Sequence, residues 1–364
     1  MTDTTYVPII KTSEAEMRAI ENLSEKTKDA VVPLFELTRS RACKTFKRGD
    51  IFRRMAHLGV AFGEERRFFL DLTGDPFSRN EQIELLQDNA KGYRNWVRFL
   101  AGLKETFPRV VPVTQISDIG VRTEADFYAG IRQQVKALDD EFGQIAYRFP
   151  LFNYDSFARD LDEICSVIHA SHITVVLDAD FILRGMAEQY AKKASDILKQ
   201  LERSPFRNIV VAGTSFPQNP TEYGDSKTGD IPLEECTLFD LLGGSTKAPL
   251  VYGDYATLNP KRSPQAGGNG WIPRVDMPIR KQIFYHRSRR SEVEHRYDPA
   301  YTRAAKRVVA DERYAKASKK IGECWGIEQI EQAADGYPQG LSPSFWISVR
   351  MTIHITLRTI LLSK

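Results

Sequence analysis

Eight short apolar runs, each followed by a stretch of helical periodicity, constrain this 364-residue chain more than any other feature. They cover residues 6–10, 31–37, 67–72, 110–116, 145–151, 173–180, 208–216 and 250–255. The sixth, I-T-V-V-L-D-A-D, shows the design most plainly. Alternate residues of a strand share a face, so Asp178 and Asp180 lie on the face of Thr174 and Val176. That face is mostly apolar and becomes acidic at its C-terminal end. Helical patterns fill residues 13–30, 51–59, 80–106, 123–142, 154–170, 186–203 and 234–242 between the runs. Ser13 with Glu16, and Thr123 with Asp126, have the spacing of N-terminal capping boxes.

Eight strands alternating with seven helical connections over about 250 residues predict an α/β fold, a (β/α)8 TIM-like barrel. A doubly wound open sheet is the alternative, but the chain has no G-x-G-x-x-G turn and no Walker lysine motif. Pro8, Pro33 and Pro112 lie near the starts of their runs, where a strand tolerates a missing N–H donor. The character changes after residue 259. A glycine-rich polar stretch at 261–270 leads into strand-like residues 271–290, a basic helix over 299–320, and closing segments at 325–334 and 344–362. This predicts a barrel over 1–259 and an appended C-terminal α+β extension over 260–364, packed on the barrel.

Composition adds boundaries. With 42% hydrophobic and 27% charged residues, the chain is of the soluble globular class, and a net charge of +3 gives no bulk argument for nucleic-acid binding. Cys43, Cys165, Cys236 and Cys324 are scattered, which excludes a CxxC zinc or redox motif. With no signal peptide and no uninterrupted membrane span, they point to a reduced, cytoplasmic protein with no membrane partner.

Barrel sites sit at the C-terminal ends of the strands. The runs place Lys11, Glu36, Asp71, Gln115, Arg148, Asp178, Asp180, Thr214, Ser215 and Asp254 there. Glu36, Asp71, Asp178 and Asp254 are the candidate catalytic carboxylates, as general acids and bases or as ligands to Mg²⁺. Lys11 and Arg148 are candidate phosphate or carboxylate clamps, with Gln115, Asp180 and Ser215 lining the same mouth. The plainer alternative is a solvated rim of local ion pairs, Lys11 with Glu36 and Arg148 with Asp178. In Y-H-R-S-R-R, Tyr285, His286 and Arg287 suggest a cationic lid that stacks a base, or a solvated hairpin end. A ligand site for a phosphate-bearing or nucleotide-like molecule therefore stands beside a different class, an interaction module for a partner protein or nucleic acid.

Three stretches carry a family resemblance: Y-V-P-I-I-K-T-S-E-A-E-M-R-A-I-E-N-L with V-V-P-L-F-E-L, then Y-G-D-Y-A-T-L-N-P, then residues 346–357. Together they resemble the beta family proteins of bacteria, phages and phage satellites. The family's closing pattern has two adjacent histidines; here Ile353 precedes His354. The resemblance implies a link to phage exclusion or anti-phage defence, with a partner encoded by a neighbouring gene. It implies no particular chemistry, although Lys11, Glu36 and Asp254 fall within both the matching stretches and the strand-end set.

Overall fold

A computed structural model describes residues 5–118, 121–202, 204–224, 227–243, 249–261 and 270–363. Its strands are β1 (Tyr6–Lys11), β2 (Leu34–Leu37), β3 (Phe68–Leu72), β4 (Val110–Pro112), β5 (Ile145–Pro150) and β6 (Ile173–Phe181). They continue as β7 (Asn208–Thr214), β8 (Thr228–Pro232), β9 (Leu250–Asp254), β10 (Arg274–Pro278) and β11 (Gln282–Arg287). Eight of them form one parallel sheet in the order β4-β3-β2-β1-β9-β7-β6-β5. The two edges meet through a Val113–Ala146 bridge, and Thr114 N–H donates to the Ala146 carbonyl at 2.8 Å. The sheet thereby closes into an α/β barrel.

The pleat divides the barrel's apolar residues into two sets. Val7, Ile9, Leu34, Phe69, Val111, Val176, Val210 and Val251 fill the interior. The alternate residues, such as Ile10, Phe35, Leu70, Tyr147, Val175 and Tyr252, pack under the surrounding helices. Strands buried on both faces read as unbroken apolar runs, which is why they stand out in the sequence. The helices start where local chemistry allows. Asp50, Asn80 and Thr123 accept backbone N–H bonds at the N-termini of Ile51–Phe62, Glu81–Leu86 and Glu124–Phe142. The long pattern expected from residue 80 is divided in two, the second part being Ala90–Leu103, with positive φ at Lys91, Gly92 and Tyr93. Ser13 does not cap Glu14–Glu21; its hydroxyl donates to the Glu16 carboxylate instead.

The remaining strands make a three-stranded antiparallel sheet, β10-β11-β8. Thr228–Pro232, which lies outside the eight apolar runs, pairs with Gln282–Arg287, so the second sheet takes a strand from before residue 259. A separate core forms between this sheet and the C-terminal helices, from Val275, Met277, Phe284, Tyr301, Val308, Ile330 and Trp346. The final helix, Pro343–Leu362, joins the two units. Met351 and Ile355 belong to the barrel's outer core, whereas Trp346, Val349, Ile353 and Leu357 belong to the second. This helix is long and apolar enough to cross a membrane, but 72% of its apolar window is buried inside the protein, where two cores need two apolar faces. Of the glycine-rich stretch at 261–270, residues 262–269 lie outside the described residues.

Candidate functional site

The inward-facing ends of the strands converge on Arg148. Its Nη1 donates to Glu36 Oε1 at 2.8 Å and to Asp71 Oδ2 at 2.9 Å. Its Nη2 donates to Asp178 Oδ2 at 2.8 Å and to the Tyr255 hydroxyl at 2.9 Å. Its Nε reaches Asp178 Oδ2 at 3.0 Å. A guanidinium has five N–H groups, and these contacts use all of them. Tyr255 in turn donates to Asp178 Oδ2 at 2.6 Å, and Gln115 Nε2 donates to Asp71 Oδ1 at 2.9 Å. Four strands and the segment after β9 thus meet in one buried network, with three carboxylates around one cation.

The environment of each group follows from this geometry. Burial pushes the Glu36 carboxyl above its usual range, against the pull of Arg148 and Lys11. Asp180 is half-exposed at the rim, its carboxyl raised by burial and by the neighbouring Asp178. Its φ of 52° is left-handed, a conformation uncommon for residues other than glycine. Lys11 lies beside Glu36 in register but does not pair with it; its ammonium donates to the Pro260 carbonyl at 2.5 Å and lies 3.6 Å from Asp75.

Two expected members of the ring lie elsewhere. Asp254 faces outward, where it accepts from the Tyr6 hydroxyl at 2.8 Å and meets His354 Nε2 at 2.7 Å. Burial disfavours its charge, but His354, Arg358 and the Tyr6 hydrogen bond prevail and hold its carboxyl below the usual range. Ser215 also lies outside the mouth, its Oγ within 2.7 Å of both the Pro232 carbonyl oxygen and Glu235 Oε2. The inward residues of these two strands are Thr214 and, just past β9, Tyr255, which the sequence reading missed.

The proposed lid is not at the mouth either. Tyr285 is fully buried in the barrel's outer core, which leaves no ring face for a base. His286 lies 3.6 Å from Asp311, and Arg287 is half-buried. The residue paired with Arg287 across the sheet, Arg274, is the one that reaches the cleft.

Two cavities, of about 1120 and about 840 Å³, meet over the mouth along Glu36, Phe77, Gln218, Tyr255, Pro260 and Lys261. They differ in charge. The larger has Lys11, Arg39, Arg41, Arg54, Lys261, Arg274 and Arg350 in its wall against Glu14, Glu16 and Glu36. The smaller has Glu36, Asp71, Asp75, Asp178 and Asp180 against Arg148 and Lys261. Some of the basic groups are committed: Arg54 pairs with Glu14 at 2.9 Å, while Arg274 and Arg350 share Asp276 at 2.8 and 2.7 Å. Arg41 is exposed, and so is Lys261, which lies 4.0 Å from Asp180. Among the described residues, no group of three or more His, Cys, Asp or Glu side chains is arranged to hold a metal ion. At the centre of the ring, the position a Mg²⁺ ion would require is taken by the Arg148 guanidinium.

The comparisons with known proteins cover nearly the whole chain. The chain is 25% identical over 354 residues to Protein beta of Enterobacteria phage P4, covering 96% of this chain and 91% of the relative. The Beta protein family model matches residues 6–358, from the first barrel strand into the final helix, and the chain belongs to that family.

Proposed function

We propose that the barrel mouth binds a phosphate-bearing, nucleotide-like ligand, with the phosphate in the basic lobe and the rest of the molecule over the acidic lobe. The observation that carries this reading is the charge asymmetry of one continuous cleft. A guanidinium or ammonium recognises phosphate through charge-assisted hydrogen bonds, and exposed Arg41 and Lys261 supply such donors in that lobe. Arg148, with every donor engaged, is not a phosphate clamp; it holds Glu36, Asp71 and Asp178 in place. The acidic lobe offers acceptors for hydroxyl or amino groups. It also offers Asp180, half-exposed at the rim and with its carboxyl raised by burial, as the group that would exchange protons with a ligand. A place in phage exclusion or defence is part of this proposal and follows from the family resemblance; the relative itself is a phage protein.

Thermal unfolding with a panel of nucleosides and nucleotides, with and without Mg²⁺, tests the reading. A ligand that binds only the folded state at a hundred times its dissociation constant adds about 2.7 kcal/mol. Nucleotides raise the midpoint, the matching nucleosides do not, and Arg41→Gln with Lys261→Gln shrinks the shift. Equal shifts from nucleosides and nucleotides, or none from either, reject a phosphate site.

A further inference from the structure

The basic lobe does not end at the mouth. Between residues 38 and 54 the chain carries seven Lys and Arg residues and one carboxylate, Asp50. That carboxylate is buried and spent on capping the next helix, where it accepts from the backbone N–H groups of Phe52 and Arg53. Arg54 pairs with Glu14 and Arg48 with Glu81, which leaves Arg39, Arg41, Lys44, Lys47 and Arg53 as excess positive charge in a chain that is close to neutral as a whole.

The segment after β2 is a loop with a fixed base. Ser40 N–H donates to the Asp50 carbonyl at 3.2 Å, and Asp50 N–H donates to Ser40 Oγ at 2.9 Å. Gly49 closes the turn with φ of 77°, and a Cβ there would lie 2.1 Å from the Ser40 carbonyl oxygen. Beyond that base, Arg41, Lys44, Lys47 and Arg48 are exposed, and so is Phe46. Arg53 lies over the Phe46 ring at 5.9 Å, and Phe52 and Phe77 present further exposed rings, 58% and 59% accessible. One flank of the loop, Arg39 to Ala42, lines the basic lobe of the mouth. The other, Lys44 to Gly49, lines a groove of about 470 Å³ with Asn80, Glu81 and Gln82.

Exposed cations beside exposed rings are what an unpaired polynucleotide requires: charge for the phosphates and faces for the bases. An acidic peptide would use the cations and leave the rings idle. A duplex keeps its bases stacked inside and cannot use the rings either. We infer that the loop of residues 41–49 binds single-stranded nucleic acid, guiding the strand from its outer groove toward the basic lobe. The inference rests in part on the phosphate reading of that lobe, but the loop supplies its own contacts.

The test uses the full-length chain and a labelled oligothymidylate of about 12 nucleotides, followed by fluorescence anisotropy over a salt series. Lys44, Lys47 and Phe46 do not line the mouth, so their variants separate the two readings. Lys44→Gln with Lys47→Gln lowers the steepness of log K against log salt by about 1.4. Phe46→Leu weakens binding about tenfold, whereas Phe46→Trp restores it. Mononucleotide thermal shifts, which report on the mouth, stay as in the wild type in all three. If mononucleotides give no shift but the oligonucleotide binds through these residues, the loop inference stands and the mouth reading fails. The inference is overturned by an absence of oligonucleotide binding, by wild-type affinity in the loop variants, or by duplex DNA or polyglutamate binding as tightly as the single strand.

Discussion

Arg148 is the residue on which the mouth depends. It holds Glu36, Asp71 and Asp178, which come from three strands, and without it their charges would face one another across a buried space. Removing one partner of a buried ion pair typically costs about 3–5 kcal/mol, because the remaining charge keeps its desolvation penalty and loses its compensation. Arg148→Met should therefore lower stability in urea unfolding by about that amount near neutral pH. The loss should shrink under acid conditions. The wild-type Glu36 carboxyl is already raised by burial, and losing the guanidinium drives it further toward the protonated form. A variant as stable as the wild type at neutral pH would show the ring to be solvated and energetically idle. The same geometry excludes Arg148 as a ligand clamp, a distinction the residue type alone did not make. Arginine at a strand end reads equally well as clamp or strut until its partners are counted.

At the scale of elements, all eight barrel strands are legible in the sequence, but the inward face is legible only in the first six. In β1 to β6, charged or amide residues follow apolar ones at two-residue spacing, so Lys11, Glu36, Asp71, Gln115, Arg148 and Asp178 point into the mouth as the alternation required. In β9 both faces are apolar, and the inward position is Gly253, where a Cβ would lie 2.8 Å from the Ala212 Cβ. With no inward side chain at Gly253 to mark the phase, alternation alone does not tell the face of Asp254 from that of Tyr255. β7 has the same ambiguity, and Ser215 serves instead to dock the helix Glu234–Leu242. Its backbone N–H and hydroxyl both donate to Glu235 Oε2, at 2.9 and 2.7 Å. Burial raises the Glu235 carboxyl from the usual 4.5 to about 7. The folded state thus holds this proton more tightly than the unfolded chain does. The group's stabilisation is full below about pH 4.5 and is lost as pH rises through about 7, a swing of about 3 kcal/mol. Glu235→Gln should remove that decline, so the variant gains on the wild type between pH 5 and pH 8 in urea unfolding. A pH profile that keeps its wild-type slope would place the proton elsewhere.

The whole molecule is closed by the contacts that the family stretches bring together. Tyr6 comes from the first strand, Asp254 from the last barrel strand and His354 from the final helix, and they form one buried hydrogen-bonded chain. The resemblance therefore marks where the fold is fastened, while the mouth is built largely from strands between those stretches. The sequence division at residue 259 is crossed in two places. β8 pairs forward into the second sheet, and the final helix returns to cover β1 and the helix Glu14–Glu21, where Thr352 donates to the Ala19 carbonyl at 3.3 Å. A barrel cut after residue 259 would lose Met351 and Ile355 from its outer core, and Asp254 would lose His354. Each deleted core side chain of that size is worth about 2–5 kcal/mol, so these losses alone rival the about 5–15 kcal/mol that holds an ordinary domain together. Residues 1–259 expressed alone should accordingly bind hydrophobic dye and melt without a cooperative transition, whereas the full chain melts as one unit in calorimetry. A cooperative, dye-free fragment would show that the barrel is self-sufficient and that the final helix is an attachment; a broad, dye-binding one would show that the family's closing stretch completes the barrel's own core.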